Sequence, residues 1–185
     1  MFSAVRTERG FSLTELMLTV AVAGTLMAMA VPVVQDVTAS ARLNESVRLV
    51  ERELQDARLR AVSANRPLRV RLNCPTVGQM RTVEVLGNAA DASPGRCSTT
   101  AYPFPPDQDL MTRPNYDGPL RLIPHSAEVT SKDIQFMPDG TAQLVSGGAA
   151  QSIAGFESIE VKRKGVTRTV TVNGAGKVQL QIQQQ

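Results

Sequence analysis

Residues 16–34 carry no charged side chain, a run long enough to cross the hydrocarbon core of a bilayer as a helix. Further on, apolar positions recur at Leu43, Val47, Val50, Leu54, Ala57, Ala61 and Ala64, a spacing that lays one stripe along a helix. The other faces hold Arg42, Glu45, Arg48, Glu51, Arg52, Glu53 and Asp56, a solvated set with ion pairs at helical spacing. Asn65-Arg66-Pro67 ends the pattern, because proline disfavours helical geometry in the residue before it. A single helix over 11–64 would be about 80 Å long at 1.5 Å per residue, bent or locally weakened at Pro32. The stripe is expected to pack on a sheet rather than form a coiled-coil seam, since it is short and Ala-rich at its end.

After Pro67 the period changes to two. Leu68-Arg69-Val70-Arg71-Leu72 alternates strictly and predicts a strand with both arginines on its outer face. Thr82-Val83-Glu84-Val85-Leu86 is its expected partner. Residues 88–118 are rich in Pro, Gly, Ser and Asp, and so long an irregular stretch is usually functional or mobile. Strands are then expected over 120–123, 134–137 and 141–145, the last two joined by Pro138-Asp139-Gly140, a good hairpin turn. Three more follow over 158–162, 166–172 and 178–182. No internal repeat is evident. The pattern predicts an α+β architecture, with a long N-terminal helix packed on one antiparallel β-rich globular domain.

Composition adds little by itself. The chain has 185 residues, a net charge of +3 and two cysteines. Its lone histidine, His125, has no serine or cysteine nucleophile motif beside it, so no enzyme activity is expected. Asp107-Gln108-Asp109 with Asp117 has ligand-like spacing, but Ca²⁺ typically takes six or more oxygen ligands. Solvated loop carboxylates are the reading adopted, with no metal and no cofactor.

The start of the chain is more specific. Arg6 and Arg9 flank the apolar run, which favours a cytoplasmic leader, and Glu15 is an ionisable group just inside the apolar segment. Such a group is costly in a membrane and marks a functional site by default. Gly10-Phe11-Ser12-Leu13-Thr14-Glu15-Leu16 resembles the processing signal of type IV pilins and type II secretion pseudopilins. The resemblance implies cleavage by prepilin peptidase between Gly10 and Phe11, N-methylation of Phe11, and helix-weakening positions at Gly24 and Pro32. It also implies that Glu15 offsets the N-terminal amine of a neighbouring subunit, an ion pair that sets register more than it adds stability. The expected organisation is a cleaved leader at 1–10, a transmembrane helix at 11–34, an amphipathic periplasmic helix at 35–66 and a β-rich head at 67–185. The expected partners are other pilins or pseudopilins through the N-terminal helix, prepilin peptidase and the inner membrane.

Three further segments resemble the GspH/FimT minor pilins and minor pseudopilins. They are 54–62, Phe136-Met137-Pro138-Asp139-Gly140-Thr141, and the run from Arg168 through Asn173-Gly174-Ala175-Gly176-Lys177 to Val178. The resemblance implies a minor subunit of a type IV pilus or type II secretion pseudopilus, held in the inner membrane with a periplasmic head. In that oxidising compartment an even cysteine count points to one disulfide, Cys74–Cys97. It would add about 3–4 kcal/mol on the chain-entropy model.

Charge supplies an alternative. Arg58, Arg60, Arg66, Arg69, Arg71 and Arg81 follow Asp56 without an intervening acid. After Glu160 come Lys162, Arg163, Lys164, Arg168 and Lys177, again with no acid. Such asymmetry predicts a basic face for a polyanion or an acidic partner. FimT-like DNA-binding minor pilins resemble one another in a C-terminal Gly-Arg-x-Arg motif. Here Gly176-Lys177-Val178-Gln179 keeps one cation and lacks the second. DNA binding through 162–164, 168 and 177 is therefore the alternative function.

Overall fold

The computed structural model describes residues 12–104 and 117–181; inside its first helix, the side chains of residues 29–33 and 36 lie outside the description. The expected leader, Gly10, Phe11 and the Asp107–Asp109 pair are therefore outside the described residues, as is the end of the chain. The chain divides into two units, Met1–Thr38 and Ala39–Gln185.

Helix α1 spans Leu13–Ser63. In the second unit its stripe of Leu43, Val47, Val50, Leu54, Ala57 and Ala61 is almost wholly buried, as the three-four periodicity predicts. Ala64 falls just past the helix and is half-buried. The helix stops where Asn65 takes a left-handed φ of 50°.

Ten strands follow in two antiparallel sheets among the described residues. The first sheet has the order β3-β2-β1-β5-β6-β7, and the second β10-β9-β8-β4. Strand β1 is Leu68–Leu72, β2 Gln79–Glu84, β3 Arg121–Leu122, β4 Glu128–Val129 and β5 Asp133–Phe136. Strand β6 is Ala142–Ser146, β7 Ala149–Ser152, β8 Phe156–Arg163, β9 Val166–Asn173 and β10 Val178–Gln181. Leu68, Val70 and Leu72 oppose Glu84, Thr82 and Met80 on one side, while Leu68 and Val70 oppose Phe136 and Ile134 on the other. The core joins this face to the helix stripe and to Val129, Ile159, Val161, Val170 and Val172 of the second sheet.

The expected strands are present with shifted ends, and two were not anticipated. Strand β4 is only two residues long, and β7 reads Ala-Ala-Gln-Ser, with neither alternation nor a β-branched residue to announce it. The stretch expected to be irregular contains two short 3-10 turns, Ala89–Ala92 and Pro94–Cys97. The Asp91 carboxylate holds the first in place by accepting from the backbone N–H groups of Leu86, Gly87 and Asn88 at 2.9, 2.7 and 3.2 Å. Ser93 caps the second by accepting from Gly95 N at 3.1 Å.

Candidate functional site

In the first unit, Ser12 starts the helix: its carbonyl oxygen and Oγ accept from Glu15 N at 3.1 and 3.2 Å. This is N-cap chemistry, and it sets the Glu15 carboxylate in the first turn, where the helix dipole favours an anion. Glu15 is exposed. Around it Leu13, Leu16, Met17, Leu18, Val20, Val22, Leu26 and Met27 all stand more than half exposed. Thr19 and Thr25 turn their hydroxyls onto the carbonyls of Leu16 and Val22, both at 2.8 Å, so these polar groups are satisfied within the helix. A Cβ at Gly24 would meet nothing within 4 Å. A helix apolar all round requires an apolar environment or neighbours to cover it. Among the described residues no helix is long and apolar enough to cross a membrane; the uncharged run 16–34 passes through residues 29–33, whose side chains are not described. The Pro32 ring is among these side chains.

In the second unit, Arg69 and Arg71 lie on the face of the first sheet opposite the core, as alternation predicts, but that face is roofed and both side chains are covered. Arg69 is 4% exposed; it donates through Nη1 to the Asp91 carbonyl and through Nη2 to Gln135 Oε1, both at 2.9 Å. Arg71 pairs with Asp133 at 3.2 Å and donates to the Ser93 carbonyl at 2.7 Å. Arg81 is fully buried and serves four carbonyls, those of Gly118, Arg96, Ser98 and Tyr102. Arg96, also fully buried, pairs with Asp117, donates to the Glu84 carbonyl at 2.7 Å and lies 4.8 Å from the Tyr102 ring centroid. Burial lowers the pKa of Arg69 and Arg81, while nearby carboxylates work against that shift. Burial likewise raises Asp117 and Asp133 above the ordinary carboxylate value, against the pull of Arg96 and Arg71 respectively.

These guanidiniums use their fork of donors to hold the 86–104 segment against the sheet. Cys74 and Cys97 are joined in a disulfide with Cα atoms 5.2 Å apart, and it ties the same segment to the end of β1. Asp117, a member of the acidic set considered for Ca²⁺, is instead the buried partner of Arg96. Among the described residues no group of three or more His, Cys, Asp or Glu side chains is placed to hold a metal.

The first basic run is therefore not a face. Besides the roof arginines, Arg58 donates to the Gly140 and Ala175 carbonyls, Arg60 pairs with Asp56 at 2.6 Å, and Arg66 pairs with Glu84 at 3.1 Å. The second run is divided. Lys162, Arg163 and Lys164 gather at the β8–β9 tip beside an open depression of about 300 Å³. There Lys162 pairs with Glu160 at 2.7 Å, and Arg163 Nε donates to the His125 carbonyl at 3.0 Å. Arg168 opposes Val161 and so shares the core side of the sheet. Lys177 lies in the β9–β10 turn, separated from that tip by the length of β9, about 25 Å at the usual rise of a strand. His125 is bonded to Glu45 at 2.7 Å, a surface contact with no nucleophile in it.

Sequence reasoning located the cysteine pair and the helix stripe but missed the roof. Its one signal was the density of arginine in 58–96 beside Asp91 and Asp117. Read linearly, that density resembles a surface charge run.

Comparison with known proteins bears on the first unit. Residues 5–31 match the prokaryotic N-terminal methylation motif. The motif ends within α1, so the exposed apolar turns and Glu15 belong to it. No curated protein matches the chain. Among solved structures, the chain is similar to the type IV minor pilin FimU of Pseudomonas aeruginosa strain PAO1 in two crystal forms. The first is 18% identical with a TM-score of 0.47, covering 78% of this chain and 92% of that chain. The second is 18% identical with a TM-score of 0.43, covering 75% and 92%.

Proposed function

We propose that this chain is a minor subunit of a type IV pilus or of a related type II secretion pseudopilus. The observation that carries the reading is the methylation motif at 5–31 running into a helix that is apolar on every side and bears one carboxylate in its first turn. Prepilin peptidase cuts between Gly10 and Phe11 and the new amine at Phe11 is methylated. Residues 11–34 then hold the protein in the inner membrane, with the β-rich head in the periplasm. The Cys74–Cys97 disulfide supports that placement, because such bonds persist in oxidising compartments.

The mechanism is non-catalytic. On extraction from the membrane the apolar helix exchanges lipid for neighbouring helices, and Glu15 meets the N-terminal amine of the next subunit. That pair fixes register, since an unpaired charge in an apolar filament core is strongly disfavoured. Gly24 and Pro32 give the helix points of local weakness. The DNA-receptor alternative is not adopted, because the five cations proposed for it lie at different ends and faces of the second sheet.

Glu15→Ala separates the two roles of the helix. The substitution is expected to leave membrane insertion intact and to reduce recovery of the protein in sheared filament fractions at least tenfold. Normal incorporation of this variant would remove Glu15 as the register device.

A further inference from the structure

The edges of the two sheets are not alike. Strand β3 is two residues long and its Arg121 is paired with Glu53 at 3.2 Å; β4 is two residues long and carries Glu128. Short charged edges of this kind resist pairing with another chain. Strands β7 and β10 have four residues each, and residues 141–156 and 178–185 contain no charged side chain. Strand β7 presents Ala149, Ala150, Gln151 and Ser152, all exposed and either small or polar, so an added strand there would cover little apolar surface. Strand β10 differs. Val178 and Leu180 oppose Val172 and Val170 on the core side, yet at the open edge they remain half-buried against the core.

The backbone of β10 is arranged to continue the sheet. Asn173 N donates to the Lys177 carbonyl at 3.1 Å, which makes 173 and 177 a hydrogen-bonded pair. Such pairs alternate along an antiparallel ladder, so Gln179 and Gln181 spend their backbone groups on β9. Val178 and Leu180 therefore direct their N–H and C=O groups away from β9, toward an edge that no other described strand occupies.

We propose that this edge pairs with the same edge of a second copy, β10 against β10 in antiparallel fashion about a two-fold axis at Leu180. In that register Leu180 exchanges backbone hydrogen bonds with Leu180 of the partner subunit, and Gln179 lies opposite Gln181 of the partner subunit. Apolar side chains meet apolar ones on the core side and uncharged amides meet on the outer side. No like charges are brought together, and the two four-stranded sheets become one sheet across the dimer. A self-complementary patch is what an isologous two-fold contact requires, and backbone pairing supplies its affinity. The inference is independent of the pilin reading, because it depends only on the head.

The test uses the full-length protein in detergent micelles, with self-association measured by sedimentation. Gln179→Lys combined with Gln181→Lys sets like charges opposite one another twice and is expected to raise the dimer Kd about tenfold. Gln179→Lys combined with Gln181→Glu sets opposite charges together and is expected to retain the dimer. Both side chains are exposed on the outer face, so neither variant disturbs the core. Leu180→Cys places two thiols at the axis, where paired Cα atoms about 5.5 Å apart lie within disulfide range, and mild oxidation is expected to give a covalent dimer; Glu128→Cys on the opposite edge is expected to give none. A wild-type monomer at the highest attainable concentration overturns the proposal and leaves the edge for a different subunit. A dimer that responds equally to both charge variants places the contact in the apolar helix and also overturns it.

Discussion

The Nε of Arg58, one turn before the end of α1, lies 3.0 Å from the carbonyl oxygen of Gly140 in the β5–β6 turn. Its Nη2 reaches the Ala175 carbonyl in the β9–β10 turn at 3.2 Å, and Ala142 N donates to the Gly174 carbonyl at 3.0 Å. Three segments far apart in sequence therefore meet at one joint between the helix and the two sheets. Two carbonyls that sheet pairing leaves over are satisfied here by one planar cation.

The joint is tight enough to exclude a methyl group. Gly176 has φ +72°, and a Cβ there would stand 2.0 Å from the Gly140 carbonyl oxygen and 2.7 Å from Arg58 Nε. Gly176→Ala is expected to cost about 3–5 kcal/mol, since strain and a backbone collision add. Arg58→Lys keeps the charge but loses the fork and is expected to cost about 1–2 kcal/mol. Urea unfolding with an unchanged slope checks both; a Gly176→Ala midpoint equal to wild type would show that the joint is loose.

The arginine roof makes a different prediction. Arg81→Met preserves much of the side chain's volume while removing donors from four carbonyls, of which those of Gly118 and Arg96 belong to buried residues. The expected loss is about 3–5 kcal/mol, several times that of a surface arginine. Arg52→Met, on the exposed helix face, is the control and should change stability by less than about 0.5 kcal/mol. Equal effects would mean that the 86–104 segment is held by the disulfide alone.

Two aspartates near the ends of the β5–β6 hairpin titrate in opposite directions. Asp139 lies below the ordinary value of 3.8 because its carboxylate accepts from Thr141 Oγ1 and N at 2.7 and 2.9 Å. Asp133 lies above 3.8 because burial outweighs Arg71 and Arg69. The folded state thus holds the Asp133 proton more tightly than the unfolded chain does. The stability this group contributes is greatest below pH 3.8 and is lost as pH rises through its folded pKa. The Asp139 contribution is present above pH 3.8 and is lost as pH falls through its depressed value. Carbon-detected NMR titration of the two carboxyls reads this directly, and an Asp133 midpoint at or below 3.8 would refute it.

What the linear pattern made legible follows from periodicity. Leu43 through Ala61 advertise a helix stripe because each step returns to the same face, and Val70 and Leu72 advertise a core face because strands alternate. Alternation also placed Arg69 and Arg71 on the opposite face, correctly, but it is silent on what covers that face. The cover consists of Asp91, Arg96 and Cys97 in short turns that are capped locally and held to the sheet by Arg69, Arg71 and Arg81, side chains distant in sequence. Strand β7 was illegible because Ala149-Ala150-Gln151-Ser152 has no propensity of its own and forms by pairing with β6. The five cations after Glu160 looked like one patch only because the chain was read as a line; a strand of eight residues carries Lys177 to the far end of the sheet.

The most direct test of the proposed function is the mass of the N-terminal peptide of the protein isolated from membranes of cells expressing a prepilin peptidase. The account predicts a chain beginning at Phe11 and carrying one N-methyl group, with Gly10→Val abolishing both changes. A chain that keeps Met1, or one cut after the apolar run near Ala30, would contradict it.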